Sequence, residues 1–187
     1  MARPPEFDRA QALTRALHLF WERGYDRTTV RDLTEAMGIS APSLYNTFGG
    51  KQQLFDEAVA TYTGAPTRVV PPGLRERTAR AVFAKILDIA IREYGNSTQP
   101  RGCFVISDPV LIDERQLGRD AIRERLQVAH DDGDLPAEPG VDALTDYVDV
   151  VLRGLSSLAR DGADPDALRA AADVALSAWP RSRSARS

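Results

Sequence analysis

The sequence has a single cysteine, Cys103, among 187 residues, and it lacks any long run of uncharged apolar residues. With one cysteine, no disulfide can form within the chain, and nothing indicates an oxidising compartment. The opening residues, MARPPEFDRA, contain no apolar core of the kind that a secretory signal needs. The apolar segment VDALTDYVDVVLRGLSSLA carries three aspartates and an arginine, which argues against a membrane span. We therefore expect a cytoplasmic protein with no membrane partner.

An excess of positive charge is also missing. The chain has 24 Lys and Arg against 27 Asp and Glu, a formal net charge of −3, which argues against a general binder of polyanions. Residues 1–51, however, contain seven basic and six acidic residues, so the acidic excess lies in the remainder of the chain. This distribution allows a nucleic-acid contact near the N terminus.

Strand patterns are absent, and every long periodic stretch predicts a helix. Capping residues and Gly or Pro breakers set the expected boundaries. The predicted helices cover about 8–23, 29–37, 40–48, 51–62, 74–94, 142–160 and 165–179, with one or two more within 103–132. Residues 63–73 are predicted to be a loop because of their Pro and Gly content. The expected fold is all-α, with about nine helices.

The stretch TTVRDLTEAMGISAPSLYNTFGGK, residues 28–51, reads as one amphipathic helix broken at Gly38. After the break, one side of the helix is apolar and the opposite side is small or hydrogen-bonding, without charge. The apolar side comprises Ala41, Leu44 and Phe48, and the opposite side comprises Pro42, Ser43, Asn46 and Thr47. Such a face suits the floor of a major groove, where Asn can pair with base edges. The alternative is an ordinary solvated face of a helix pair in an all-helical protein.

Possible phosphate donors surround this broken helix. They are the hydroxyls of Thr28 and Thr29 with the adjacent backbone N–H groups, Arg31, Tyr45 and Lys51. A helix, a short glycine turn and a second helix form the common DNA-reading arrangement, in which the second helix enters the groove. The residues therefore indicate a DNA-binding unit.

The segment GYDRTTVRDLTEAMGISAPSLYNTFGGKQQLF, residues 24–55, resembles the N-terminal signature of TetR-family (TetR/AcrR-like) transcriptional regulators. The resemblance implies a homodimer with a helix-turn-helix three-helix domain over 1–50 and a helical effector-binding and dimerisation domain over 51–180, followed by a disordered basic tail over 181–187. The predicted DNA-binding residues are Thr28, Thr29, Arg31, Ser40, Ala41, Pro42, Ser43, Tyr45, Asn46, Thr47 and Lys51. Pro42, Asn46 and Thr47 depart from the residues most usual in the family, which leaves the operator sequence undetermined.

The last two predicted helices carry wide apolar stripes and small residues, which suit a dimeric four-helix bundle. The predicted interface residues are Tyr147, Val151, Leu155, Leu158, Leu168, Ala171, Ala175 and Trp179. The same pattern also fits helices buried within one subunit.

The family resemblance further implies a pocket for a small, mainly apolar effector. Its candidate lining is Phe83, Ile86, Leu87, Ala90, Tyr94, Cys103, Phe104, Ile106 and Val110. The alternative is plain core with a small cavity or none, since the segment between Cys103 and Leu135 is shorter than in many members of the family.

The sequence thus predicts a repressor that leaves a palindromic double-stranded operator when its effector binds. No catalytic residue, cofactor or metal site is expected. Three alternatives remain open at this stage. Cys103, near Arg101 and a helix start, could sense oxidants or electrophiles; Cys103 and His130 could form a nucleophile and base; or the chain could be an architectural helical dimer.

Overall fold

The computed structural model describes residues 8–65 and 70–180, and within these two ranges the chain is helical and contains no strand. The α-helices are α1 (Arg9–Arg23), α2 (Val30–Met37), α3 (Ala41–Phe48), α4 (Lys51–Gly64), α5 (Val70–Gly73), α6 (Ala79–Tyr94), α7 (Phe104–Ser107), α8 (Ile112–Asp131), α9 (Val141–Arg160) and α10 (Pro165–Ala178). A 3-10 helix, Pro109–Leu111, precedes α8. The predicted all-α fold is confirmed, with ten α-helices in the described ranges where about nine were expected. The predicted tail, 181–187, lies outside these ranges.

The prediction of one helix over 74–94 is wrong at its start. The hydroxyl of Thr78 accepts the Ala81 N–H at 3.2 Å, and this cap begins α6 at Ala79. The Asp134 carboxylate accepts the Ala79 N–H at 2.5 Å and so takes a second N–H of this first turn. The preceding residues Val70–Gly73, predicted to be loop, instead form the short helix α5.

The described residues form two compact units. The first contains residues 8–65 together with Asp108–Val110, and the second contains 70–107 and 111–180. This division differs from the boundary expected at residue 50, because α4 packs extensively on α1 and belongs to the first unit.

The core of the first unit forms where α1, α2, α3 and α4 meet. Each helix contributes a fully buried side chain, namely Phe20, Leu33, Leu44 and Leu54. The rings of Phe20 and Phe55 meet edge to face with centroids 5.0 Å apart, a favourable aromatic geometry. This core fixes the orientation of α2 and α3, so the outward faces of both helices are presented by a rigid support.

The second unit is built around α6, which packs against α5, α8, α9 and α10. Most of the circumference of α6 is therefore buried, as its nearly continuous apolar sequence predicts. Over the described parts of both units, none of the helices has the length and hydropathy that a membrane crossing requires.

Candidate DNA-binding interface

The turn between α2 and α3 depends on Gly38. Its backbone adopts φ 70° and ψ 33°, the left-handed conformation that glycine accepts without strain. The Gly38 N–H donates to Glu35 O, and the Ile39 N–H donates to Thr34 O at 3.1 Å, which closes the end of α2. The predicted glycine break is therefore confirmed, and it allows α3 to begin in a new direction at Ala41, three residues later.

Serine and proline set the start of α3. Ser40 is the capping residue, and its hydroxyl accepts the Ser43 N–H at 3.3 Å and lies 2.9 Å from the Ser43 hydroxyl. Pro42 occupies the first turn, where a backbone N–H has no partner within the helix. The helix ends at Gly49, whose φ is 81°. Local chemistry thus limits α3 to eight residues.

The two faces of α3 differ as the sequence predicts, except that Ala41, which helical spacing put on the apolar side, is exposed at the first position of the helix. Leu44 and Phe48 are buried against the unit's core, whereas Ala41, Pro42, Tyr45 and Asn46 are exposed. Ser43 and Thr47 are half-buried on the outer side. No charged residue lies within Ala41–Phe48, so the outer face can approach base edges without desolvating a charge.

Two threonines precede α2, and their roles differ. The side chain of Thr29 forms a capping box with Asp32: its hydroxyl donates to the Asp32 carboxylate at 2.6 Å and accepts the Asp32 N–H at 3.1 Å. Thr28 is fully buried, and its hydroxyl donates to Gly24 O at 2.7 Å. This position corrects the expectation that Thr28 offers a surface hydroxyl to phosphate; the residue instead stabilises the turn before α2.

The Asp32 carboxylate receives more than one interaction. The hydroxyl and backbone N–H of Thr29 both donate to it, and Arg23 lies 3.2 Å away. The hydrogen bond from the Thr29 side chain is the largest of these influences, and together they lower the pKa of Asp32 below its ordinary value. A charged Asp32 therefore belongs to the structure that starts α2.

Lys51 begins α4 and contacts a residue that the sequence did not identify as functional. Its Nζ lies 4.0 Å from the centre of the Tyr25 ring, a cation–π geometry. The Tyr25 hydroxyl donates to Gln52 Oε1 at 2.6 Å, and Gln52 Nε2 donates to Asp56 at 2.8 Å. The only sequence signal was that an aromatic residue follows Gly24 in the motif.

The start of α4 is also a place for an anion. No side chain caps its first turn, which follows Gly50, so the first N–H groups of this 14-residue helix keep their capacity to donate. Arg31, at the start of α2, is exposed. The predicted phosphate donors other than Thr28 therefore lie at helix starts beside α3 or on its outer edge.

The predicted dimer residues separate into two groups. Leu155, Leu168, Ala175 and Trp179 are buried within the subunit, so they contribute to its core rather than to an exposed face. Leu158 is exposed, and Tyr147, Val151 and Ala171 are half-buried. Val150 on α9 and Val174 on α10 are strongly exposed but were not among the predicted interface residues, because helical spacing alone does not say which apolar stripe faces inward.

The predicted pocket residues are mostly core. Phe83, Ile86, Leu87, Ala90, Tyr94, Cys103 and Phe104 are buried in the second unit, and Ile106 is half-buried there. Val110 is exposed and belongs to the first unit, so it does not join this set.

An aromatic cluster crosses this core. The ring of Phe83 lies 4.6 Å from that of Trp179 and 5.8 Å from that of Tyr147, measured between centroids. The Tyr147 hydroxyl donates to Ala175 O at 2.8 Å. Trp179 Nε1 is buried and has no acceptor among the described residues. Burial raises the pKa of Tyr147, so its hydroxyl stays protonated near neutral pH.

Cys103 does not have the exposed setting of a reactive thiol. It is buried, its backbone N–H donates to Ser156 Oγ at 2.9 Å, and the helix that follows has only four residues. The nearby Arg101 guanidinium donates to Ala163 O at 3.0 Å. Nothing in this geometry favours the redox alternative over a structural role.

Comparison with known proteins agrees with the geometry of the first unit. Residues 12–58 match the family described as bacterial regulatory proteins, tetR family. The chain is 30% identical over 192 residues to the HTH-type transcriptional repressor ComR of Escherichia coli K12, covering 95% of this chain and 91% of ComR. It is 33% identical to the uncharacterized HTH-type transcriptional regulator YezE of Bacillus subtilis 168, covering 95% of this chain and 98% of YezE.

A solved structure gives the same relationship. A cysteine mutant of the TetR family transcriptional regulator CifR, complexed with 26bp double-strand operator DNA, superimposes with a TM-score of 0.86 at 36% identity, covering 96% of this chain and 100% of that one. The likeness spans both units of the chain and is not confined to the DNA-binding motif. The chain belongs to the TetR family of DNA-binding transcriptional regulators.

Proposed function

We propose that this protein is a homodimeric repressor that reads a palindromic operator with α3 and releases it when a small apolar effector binds the second unit. The observation that carries the proposal is the uncharged outer face of α3, with Pro42, Tyr45 and Asn46 exposed above a buried Leu44. Asn46 is suited to pair with an adenine edge, and the small side chains allow the helix to lie deep in the groove.

Phosphate contacts would flank the reading helix. Arg31 supplies a charged donor at the start of α2, and Lys51 supplies another at the uncapped start of α4. These groups fix position on the duplex without reading sequence. The operator complex formed by the CifR mutant supports the same use of this fold.

Dimerisation would use the outward faces of α9 and α10. Val150, Leu158 and Val174 are exposed apolar side chains there, and Gly154 is exposed between the first two. The absence of a side chain at Gly154 permits close approach of a second helix. Two copies are needed because a palindromic operator presents two half-sites, about 34–36 Å or a multiple of this apart.

The effector would act through the aromatic cluster of Phe83, Tyr147 and Trp179. These rings favour an aromatic or aliphatic molecule, and the unpaired indole N–H of Trp179 favours one that carries a hydrogen-bond acceptor. Release requires that the effector bind the DNA-free conformation more tightly, since equal affinity for both conformations shifts nothing.

The direct test is a fluorescence anisotropy titration of the purified protein with DNA from beside its own gene, against random duplex of the same length. We expect specific binding at moderate salt with two subunits per operator. Binding to both duplexes with the same affinity would contradict the proposal. Compounds are then screened for release of the operator, and Trp179→Phe should weaken the response to those that accept a hydrogen bond.

A further inference from the structure

Asp108 lies in a short segment, Asp108–Val110, that packs with the first unit although its chain neighbours Ser107 and Leu111 belong to the second. We propose that Asp108 is a positioning residue for DNA binding: its carboxylate fixes the turn after α1, and through Tyr25 this turn places the ammonium group of Lys51 beside the DNA phosphates. The inference rests on the proposed function, because it requires Lys51 to contact phosphate.

The contact between Asp108 and the turn is a buried, directional hydrogen bond. Asp108 is only 2% exposed, and its Oδ2 accepts the Tyr25 N–H at 2.7 Å across 83 residues of sequence. Its Oδ1 accepts the Val110 N–H at 3.1 Å. A buried carboxylate is costly unless its oxygens are hydrogen-bonded, and bonds to a charged acceptor are stronger than neutral ones. The position of the carboxylate therefore determines the position of the Tyr25 backbone.

Thr28 holds the far end of this turn, since its hydroxyl donates to Gly24 O at 2.7 Å and its N–H donates to Tyr25 O at 3.2 Å. Gly24 ends α1 with φ 82°, a conformation open to glycine and strained for other residues, and an added Cβ there would lie 3.8 Å from Asp108 Oδ2. The Tyr25 N–H follows the end of the helix, so it has no carbonyl of α1 assigned to it by helical geometry. Asp108 supplies the acceptor for this N–H and so fixes the end of the turn that carries the Tyr25 ring.

The side chain of Tyr25 links the conformation of the turn to the position of Lys51. Its ring packs against Phe55 with centroids 4.6 Å apart and against Phe20 at 6.2 Å, so the ring cannot move independently of the core. Lys51 Nζ rests 4.0 Å above it, and the Tyr25 hydroxyl holds Gln52, the next residue of α4. Lysine otherwise loses considerable side-chain entropy when it is fixed on a phosphate, and the ring reduces this loss by restricting the ammonium in advance.

The experiment compares Asp108→Ala with Asp108→Asn in the full-length protein and measures the dependence of binding on salt. Losing the Lys51–phosphate contact in both subunits of the dimer weakens binding on operator and random duplex alike and reduces the slope of log K against log salt by about two, one for each subunit. We expect this result for Asp108→Ala and for Lys51→Ala. The asparagine variant keeps an oxygen that can accept the Tyr25 N–H, so its slope should remain close to that of the parent protein.

The double variant Asp108→Ala/Lys51→Ala distinguishes positioning from general destabilisation. If Asp108 acts through Lys51, the double variant has the same slope as Lys51→Ala. A merely structural role would lower the fraction of folded protein, visible by circular dichroism, and would leave the slope unchanged. An unchanged slope for folded Asp108→Ala, or a further loss in the Lys51→Ala background, overturns the proposal.

Tyr25→Leu covers the case in which Asp108→Ala does not fold. It keeps the backbone N–H for Asp108 but removes the ring under Lys51, so a slope reduced by about two, one for each subunit of the dimer, supports the proposal and an unchanged slope overturns it. A failure of the proposed function gives a different result: the parent protein would bind operator and random duplex with equal affinity. The salt slopes of parent and variants could still be measured on both duplexes, so the two failures are distinguishable.

Discussion

Thr29 and Asp32 are hydrogen-bonded in both directions at the start of α2: the Thr29 hydroxyl donates to Asp32 Oδ2 at 2.6 Å and accepts the backbone N–H of Asp32 at 3.1 Å. This capping box satisfies two backbone N–H groups that a helix start leaves without partners. It also ties the ionisation of Asp32 to the folding of the DNA-binding unit.

Stability should therefore depend on pH through Asp32. Its folded-state pKa is lowered, so its contribution is fully present above the unfolded value of about 3.9 and is lost as pH falls from there through the folded-state pKa. We expect the parent protein to be more stable than Asp32→Asn near neutral pH, and the difference to shrink below about pH 4. Urea unfolding of both proteins from pH 3 to 7 gives the difference in their free energies of unfolding. A difference that stays constant across that range would contradict the prediction.

Asn46→Ala should weaken discrimination at one base pair of each half-site. Losing a bidentate contact to a base edge costs about 1–3 kcal/mol, roughly 5- to 150-fold in affinity per half-site, without changing stability because Asn46 is exposed. Competition binding with operators substituted one base pair at a time locates the position. Thr61→Ala, an exposed change near the end of α4, is the matched control and should leave all affinities as they were.

Gly38→Ala should destabilise the first unit. At φ 70° an L side chain adds about 1–2 kcal/mol of strain to the folded state. The substitution also lowers the conformational entropy of the unfolded chain, but this stabilises the protein by only about 0.4–1 kcal/mol. The added Cβ has room, with its nearest neighbour, an Arg15 nitrogen, at 3.8 Å, so strain and not collision is the cause. Gly38→Asn should lower the free energy of unfolding less than Gly38→Ala, because Asn tolerates this conformation. Chemical unfolding measures both variants, and an equal loss of stability in the two would argue against strain as the cause.

Val174→Asp should dissociate the dimer if α10 forms part of the interface. Val174 is 69% exposed, so a carboxylate there is solvated in the free subunit but desolvated in a dimer. Sedimentation velocity at several concentrations should show a monomer, with weaker operator binding as a consequence. Val128→Asp on α8, where the valine is 54% exposed, makes the same change elsewhere and should leave the dimer intact.

Local signals in the sequence were enough to predict the DNA-binding unit. Asp8, Thr29, Ser40 and Gly38 each act on neighbours within a few residues, and the structure places all four at the helix ends expected from them. The burial of Leu44 and Phe48 on α3 followed equally from helical spacing, whereas Ala41, expected on the same side, is exposed.

Features that depend on distant contacts were not predictable in the same way. The adjacent Thr28 and Thr29 are the same residue type, yet only tertiary packing decides that one is buried and the other exposed. Trp179 fits an interface stripe by spacing, but its ring completes the cluster with Phe83 inside the subunit. The hydrogen bond from the Tyr25 N–H to Asp108 joins residues 83 positions apart, and no helical periodicity in the sequence predicts it.

The missing charge on α3 has a consequence for how the protein finds its target. Attraction to arbitrary DNA is almost wholly electrostatic, and within the first unit Arg9 and Arg23 are already engaged with Glu57 and Asp32. Among the described residues of the first unit, this leaves Arg15, Arg27, Arg31 and Lys51 to hold the protein on the many competing sites of a genome. Such a regulator would spend little time sliding on unrelated sequence, so that a modest number of copies per cell suffices to keep its operator occupied.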